Sequence, residues 1–257
     1  MIPFDTVTAW GVTHPWPTRE QIEQDLLLTK AICDIYSNGF LAGELIFRGG
    51  TALHKLSLPR PYRYSEDLDF VRISAGGIGR IMKELTGLGK LSGFTVTTKM
   101  SQYPKIYWRG KAQTGRDIKI KIEINTYERS PALPLAKIEH TVHSDWFAGG
   151  AGVVMFQNEE IAATKLRALY QRAKGRDLFD LWLMTNEIGI DTSLVCEAFS
   201  FYRPDGFTAA KAIENLEKKL DNDGFRTDIT NLISAGNSGY DIEAAAMQII
   251  ETYLANL

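Results

Sequence analysis

Two aspartates one residue apart, Asp67 and Asp69 in Ser65-Glu66-Asp67-Leu68-Asp69-Phe70, carry the clearest chemical meaning in this chain of 257 residues. In an extended strand, side chains two apart point to one face, so the two carboxylates stand together with their Cα atoms roughly 6.5–7 Å apart. Such a pair suits two divalent cations about 3.5–4 Å apart, the arrangement used to transfer phosphoryl and nucleotidyl groups. Strands disfavour aspartate and neighbouring carboxylates repel, so the motif requires a compensating cation or solvent. An acidic exposed loop is the competing reading. The interleaved apolar Leu68 and Phe70 favour the strand.

Three further elements add to this pair. Phe47-Arg48-Gly49-Gly50-Thr51-Ala52-Leu53 reads as strand, glycine turn and helix start. Glycine lets the backbone turn sharply and approach a ligand, and a helix N-terminus presents N–H groups to a phosphate. By itself this is the pattern of any tight turn. Asp117 to Asn125 (DIKIKIEIN) alternates strictly, with Ile118, Ile120, Ile122 and Ile124 on one face and Lys119, Lys121, Glu123 and Asn125 on the other. Glu123 is therefore the candidate third carboxylate of a two-metal site, against a salt bridge to Lys119 or Lys121. The last element is helical. Lys165 lies at the edge of the apolar face formed by Ala162, Leu166 and Leu169, where a lysine can project its ammonium into a cleft. Asp177 and Asp180, three residues apart, share a helix face, although Asp177 is also an ordinary first-turn acid. His54 and His140 are not at metal-ligand spacing and read as structural.

The elements that must hold these residues follow from periodicity and punctuation. Thr18 to Gln21 is a capping box opening a helix that runs to about Asn38–Gly39. Strands are expected at 44–48, 68–73, 94–100, 105–108 and 117–125, with helices from Thr51 to Ser57 and after Gly76–Gly77. Pro59 and Pro61 stop the first of these helices. Beyond about Val154 the chain reads as helices at 158–172, 177–187, 193–201, 208–220 and 241–254. A boundary is expected near residue 150, in the glycine-rich Ala148 to Gly152, giving a domain at 1–150 and a helical one at 151–257. The fold class is α+β: a mixed sheet with flanking helices, then a helical part.

Composition narrows the function classes. Apolar content of 44% and charged content of 23% are those of an ordinary globular protein. Cys33 and Cys196 show no C-x-x-C spacing, which argues against a disulfide framework or structural zinc and suits a reducing cytoplasm. The N-terminal stretch lacks the pattern of a secretory signal, and no apolar run approaches the roughly 20 residues that span a bilayer. A cytoplasmic location with no membrane partner is the expectation. A net charge of −2 excludes a uniformly basic coat but not a basic face. From Lys99 to Lys121 seven basic residues face the lone acid Asp117, interleaved with Tyr103, Tyr107 and Trp108 as stacking surfaces for an RNA end.

Taken together, RGGTALHK (Arg48 to Lys55), RYSEDLDF (Arg63 to Phe70), EIAATKLRALYQR (Glu160 to Arg172) and KGRDLFDLW (Lys174 to Trp182) resemble the AbiEii/AbiGii-type nucleotidyltransferase toxins, which include the mycobacterial MenT toxins. The resemblance spans about residues 45–185 with its motifs in the expected order. It implies a polymerase-β-like nucleotidyltransferase fold and transfer of NMP from an NTP to the 3′ acceptor end of tRNA, blocking translation. It also implies a cognate antitoxin. Carried onto this chain, Gly49, Gly50 and Thr51 would hold the triphosphate, and Asp67 and Asp69 would bind Mg2+. Lys165 matches the family's essential lysine, a phosphate ligand; Asp177, with Asp180, matches the essential acid. Ser65 falls where some members are phosphorylated by an antitoxin kinase, and a phosphate there would oppose Mg2+–triphosphate binding beside Asp67. Arg48 joins Lys165 as a candidate to neutralise the triphosphate. Two departures stand out: the stretch from Gly50 to Asp67 is longer than in compact relatives, suggesting a loop over the site, and Glu123 rests on strand logic alone.

The reading is thus a two-Mg2+ enzyme with ions at Asp67, Asp69 and Glu123, acting on an NTP and an RNA 3′-hydroxyl. A nucleotidyltransferase acting on a small molecule or protein hydroxyl needs the same metal site but no RNA face. A binding module on a decayed transferase fold is disfavoured by intact Asp67, Asp69 and Lys165.

Overall fold

A computed structural model describes residues 2–233 and 239–257. The chain divides into two compact units. Unit 1 comprises Met1–Leu56, Tyr64–Pro131 and Leu135–Phe156; unit 2 comprises Ser57–Arg63, Ala132–Pro134 and Gln157–Leu257.

Unit 1 is built on a seven-stranded mixed sheet: β1 (Leu45–Arg48), β2 (Asp67–Arg72), β3 (Thr95–Lys99), β4 (Lys105–Lys111), β5 (Asp117–Asn125), β6 (Ala136–His143) and β7 (Ala148–Met155). Their order is β3-β4-β5-β2-β1-β7-β6. β2 runs antiparallel to β1 and parallel to β5. The helices of this unit are α1 (Phe4–Thr13), α2 (Arg19–Ser37), α3 (Gly39–Glu44), α4 (Gly49–Ala52, continued as a π-helical turn over Leu53–Ser57) and α5 (Gly79–Leu91). The capping box of Thr18 and Gln21 opens α2 as its residue types predict. α2 lies against β5 and β7, and α5 against β3 and β4. The core side of the sheet is aromatic and β-branched: Phe70 stacks on Phe47 and meets Tyr36 of α2, and the four isoleucines of β5 are all buried. Leu68 and Phe70 therefore anchor β2 inward, which forces Asp67 and Asp69 onto its opposite face.

Unit 2 is helical: α6 (Asn158–Gln171), α7 (Gly175–Leu183, with a π-helical turn over Met184–Ile188), α8 (Thr192–Tyr202), α9 (Ala209–Leu220), α10 (Asp223–Arg226) and α11 (Ile242–Thr252). The short segment Ala132–Pro134 is fastened to α6 by the buried Glu160 carboxylate. It accepts from the N–H groups of Ala132 at 2.7 Å and Leu133 at 3.2 Å, and from the Tyr202 hydroxyl.

The mixed sheet with flanking helices agrees with the expected fold class, and two local expectations need correction. Ala148 to Gly152, where a boundary is expected, is instead the first half of β7 inside unit 1, because β6 pairs with it from His143↔Ala148 to Ala136↔Met155, and ladder hydrogen bonds override glycine's poor strand propensity. Neither β6 nor β7 is among the strands expected from the sequence. Ahead of these elements, Phe4–Thr13 forms a helix whose Val7 seals a core with Ile2, Leu26, Cys33 and Val142. Lastly, Trp108 is fully buried, stacked on Phe94, and cannot offer a ring to RNA.

Candidate active site

The predicted residues of unit 1 meet at the adjoining ends of β1, β2 and β5. Strand register does the positioning: Arg48 pairs with Asp69 across the antiparallel ladder, while Asp69 pairs with Glu123 and Asp67 with Lys121 across the parallel one. Three carboxylates from two strands thus share one face, with a basic residue beside each aspartate. The glycine turn closes over them. Gly49 has φ +81°, and a Cβ there would stand 2.8 Å from Asp69 Oδ2, so the turn admits no side chain while that carboxylate keeps its place.

Thr51 joins turn and strand. Its hydroxyl donates to the Asp67 carbonyl and lies 2.9 Å from the Ser65 hydroxyl. Thr51 is buried and Ser65 half-buried, so the threonine side chain fixes the start of β2. Arg48 lies 3.5 Å from Glu128 and 5.8 Å over the Phe156 ring.

Charge balance explains the rest. Burial, then the charge of Asp67, pushes the Asp69 carboxyl above the ordinary aspartate range. The Lys121 ammonium sits 2.7 Å from Asp67 and 3.4 Å from Glu123, and Lys105 lies 3.1 Å from Glu123. Burial works against the charge of Lys121, but its hydrogen bond to Asp67 and the charges of Asp67, Asp69 and Glu123 outweigh it and raise its pKa. Among the described residues no three acidic, histidine or cysteine side chains form a ready metal cage. The donor set nonetheless fits a hard divalent cation: it is all carboxylate oxygen on one face, with the ammonium groups of Lys121 and Lys105 as its present counter-charges. Alternation alone places Glu123 on this face. Lys121, the partner of Asp67, was visible only as one lysine of a basic stretch, because the β2–β5 pairing that brings it there is non-local.

The predicted residues of unit 2 meet each other. Lys165 is buried, and its ammonium lies 2.7 Å from Asp180 and 3.1 Å from Asp177. It is therefore held in ion pairs rather than extended into open space. Arg172 grips Asp177 through Nε at 2.7 Å and Nη2 at 2.9 Å. Burial alone would raise the Asp177 pKa, but the charges of Lys165 and Arg172 hold it below the ordinary range. Arg63 completes the cluster, donating to both oxygens of Asp180 at 2.7 and 2.6 Å. Arg63 stands in the RYSEDLDF stretch with no local pattern to mark it, since only folding brings it to a helix over a hundred residues away.

His54 and His140 are buried. His140 Nε2 lies 3.2 Å from the Thr29 carbonyl, a structural contact. Lys55, in the RGGTALHK stretch, makes a buried 2.6 Å ion pair with Asp25 of α2 and thereby tethers the turn that follows α4.

The fold is shared with MenT4, a nucleotidyltransferase toxin from Mycobacterium tuberculosis H37Rv, with a TM-score of 0.68 and 17% identity over 100% of this chain and 91% of that one. An antigenic nucleotidyltransferase-like protein from Paracoccidioides brasiliensis aligns at a TM-score of 0.45 and 16% identity, over 83% of this chain and 94% of its own. No curated protein matches the sequence. The family model of the nucleotidyl transferase AbiEii toxin, type IV toxin–antitoxin system, matches residues 30–247, and this chain belongs to that family.

Proposed function

We propose that this toxin transfers NMP from an NTP to the 3′ end of tRNA and so blocks translation, using Mg2+ held by Asp67, Asp69 and Glu123. The observation that carries the reading is the register that sets Glu123 beside Asp69 beneath the side-chain-free turn at Gly49. Bound Mg2+ would stabilise charge developing on the α-phosphate and lower the pKa of the attacking 3′-hydroxyl. The chain's own part is positioning. Backbone N–H groups at Gly49 and Gly50 take the triphosphate, and Arg48 adds charge to it. Lys121 exchanges its carboxylate partners for the phosphate side of the bound nucleotide. Lys165, Asp177 and Asp180 act as one ionic unit. By the same reading Lys165 serves as a phosphate ligand once nucleotide competes for its ammonium.

The RNA assignment draws on the outer strands. Arg109 and Lys119 face each other across the β4–β5 ladder, both exposed, on the side of the sheet that carries Lys121 and Glu123. Like charges opposed in a sheet repel, and a phosphate backbone relieves that cost. Lys111 and Arg116 contribute less, being paired with Asp117 and Glu20. A cognate antitoxin is part of the proposal. Should it be a kinase, Ser65 is its target, since a phosphate there would break the Thr51–Ser65 contact and place negative charge beside Asp67.

The test is incubation of purified protein with total RNA, Mg2+ and each α-labelled NTP in turn. Label is expected in a tRNA-sized band with wild type and not with Asp67→Ala. Label on protein or a small molecule would replace the RNA acceptor, and no transfer at all would remove the enzymatic reading.

A further inference from the structure

Two tyrosines of unit 1 are kept in water at the edge of the carboxylate face. Tyr127 is 63% exposed and Tyr103 36% exposed, and their rings pair edge to face at 6.2 Å and 70°. Tyr127 follows the end of β5, four residues after Glu123. Tyr103 lies two residues before Lys105, whose ammonium contacts Glu123. The loops that bear them are joined to the same strand end, where the Ile124 N–H donates to the Pro104 carbonyl at 3.0 Å.

An exposed aromatic on a slack loop would mean little, but this loop is heavily fixed. The buried Asn125 accepts from the N–H groups of Tyr127 at 2.9 Å and Glu128 at 3.1 Å. Its amide donates to the Glu128 carboxylate at 2.8 Å. Glu128 in turn lies beside Arg48, across the strand from Asp69, and Arg129 Nε donates to the Thr126 carbonyl at 2.6 Å. The hydrogen bonds needed to hold a solvent-facing ring thus tie it to the strand of the third carboxylate and to the arginine of the glycine turn. An edge-to-face pair covers a face of only one ring, so flat apolar surface remains open. Rigid aromatic faces beside a phosphate-transfer centre suit one chemistry, the π-face of a heterocyclic base.

We propose that Tyr103 and Tyr127 form a stacking platform for a nucleobase whose phosphate lies at the Asp67–Asp69–Glu123 face. The proposal rests on the nucleotidyl-transfer reading above. The base belongs either to the incoming NTP or to the terminal nucleotide of the acceptor. Stacking is indifferent to base identity, so the platform contributes affinity rather than choice among bases.

The experiment measures steady-state transfer of α-labelled nucleotide, varying NTP and RNA separately, for wild type, Tyr127→Ala, Tyr103→Ala, the double alanine variant and Tyr127→Trp. Thermal unfolding of each is recorded. Stacking is worth about 1–3 kcal/mol per base, so each alanine is expected to raise one KM by about 5- to 150-fold with kcat nearly unchanged. Tyr127→Trp is expected to restore it. A rise in the KM for NTP assigns the platform to the donor, and a rise in that for RNA assigns it to the acceptor. If the double variant keeps both KM values within twofold, the platform is refuted while transfer by wild type, lost in Asp67→Ala, leaves the enzymatic reading standing. The platform is also refuted if kcat and melting temperature fall together without rescue by tryptophan, or if wild type transfers nothing.

Discussion

At position 49 a single hydrogen decides whether the glycine turn and the carboxylates can share a space. Both the φ of +81° and the 2.8 Å gap to Asp69 Oδ2 exclude a methyl group. Gly49→Ala should lose about 1–2 kcal/mol from the left-handed backbone alone, read by urea denaturation, and lose transfer further because Asp69 must move. Lys121 is the second decisive residue. Its ammonium occupies the carboxylate face where a cation is proposed, so Lys121→Ala should bind Mg2+ more tightly in the absence of nucleotide, by up to about tenfold, measured by calorimetric titration. Weaker binding would show that the lysine helps to order the ligands rather than competing with the ion. Asp177 is expected to contribute to acid stability. Its folded pKa lies below the ordinary aspartate value of 3.8, so its contribution is complete above that pH and is lost as pH falls through the folded value. Asp177→Asn should cost roughly 3 kcal/mol near neutrality, because Lys165 and Arg172 lose a buried partner, and should flatten the fall in stability below pH 3.8.

Among the elements, β2 and β5 matter most, because their parallel pairing converts two separate sequence patterns into one face. The strict alternation of DIKIKIEIN made the face of Glu123 legible, and the Leu68–Phe70 interleave did the same for the aspartates. Neither pattern says which strands become neighbours. α5 is held to the sheet by a close approach at Gly89, where a Cβ would meet Trp108 Nε1 at 2.5 Å. Gly89→Ala should therefore destabilise by about 1–3 kcal/mol through overpacking, seen as a lower urea midpoint with an unchanged slope. Wild-type stability in that variant would mean that the α5–β4 contact is loose. The same burial removed Trp108 from the RNA face on which its position in the sequence had set it. Aromatic spacing alone does not separate a core ring from a stacking ring, whereas Tyr103 and Tyr127 are distinguished by exposure.

At the level of the whole chain, the compact units are not consecutive stretches. Unit 2 takes in Ser57–Arg63 and Ala132–Pro134 as well as its helices. Arg63 supplies the bidentate partner of the buried Asp180, and Glu160 is satisfied by the backbone of Ala132 and Leu133. A fragment of residues 157–257 would therefore leave two buried carboxylates short of partners. It is expected to lack a cooperative urea transition, followed by circular dichroism, while the full chain shows one. Cooperative unfolding of the fragment would refute the structural role given to Arg63.

The sequence by itself determined the chemical types and their local presentation: paired aspartates on a strand face, a glycine turn before a helix, Glu123 opposite four isoleucines, and a lysine and two acids on helices. Those follow from side-chain periodicity within single elements, which depends only on neighbours in the chain. Tertiary structure decided the rest. It set Glu123 beside Asp69, drew Lys121 to Asp67, fastened Arg63 to Asp180, buried Trp108, and made a strand of the glycine-rich run at 148–152. Each of these arises from pairing between distant segments, where hydrogen-bond ladders and charge burial override local propensity.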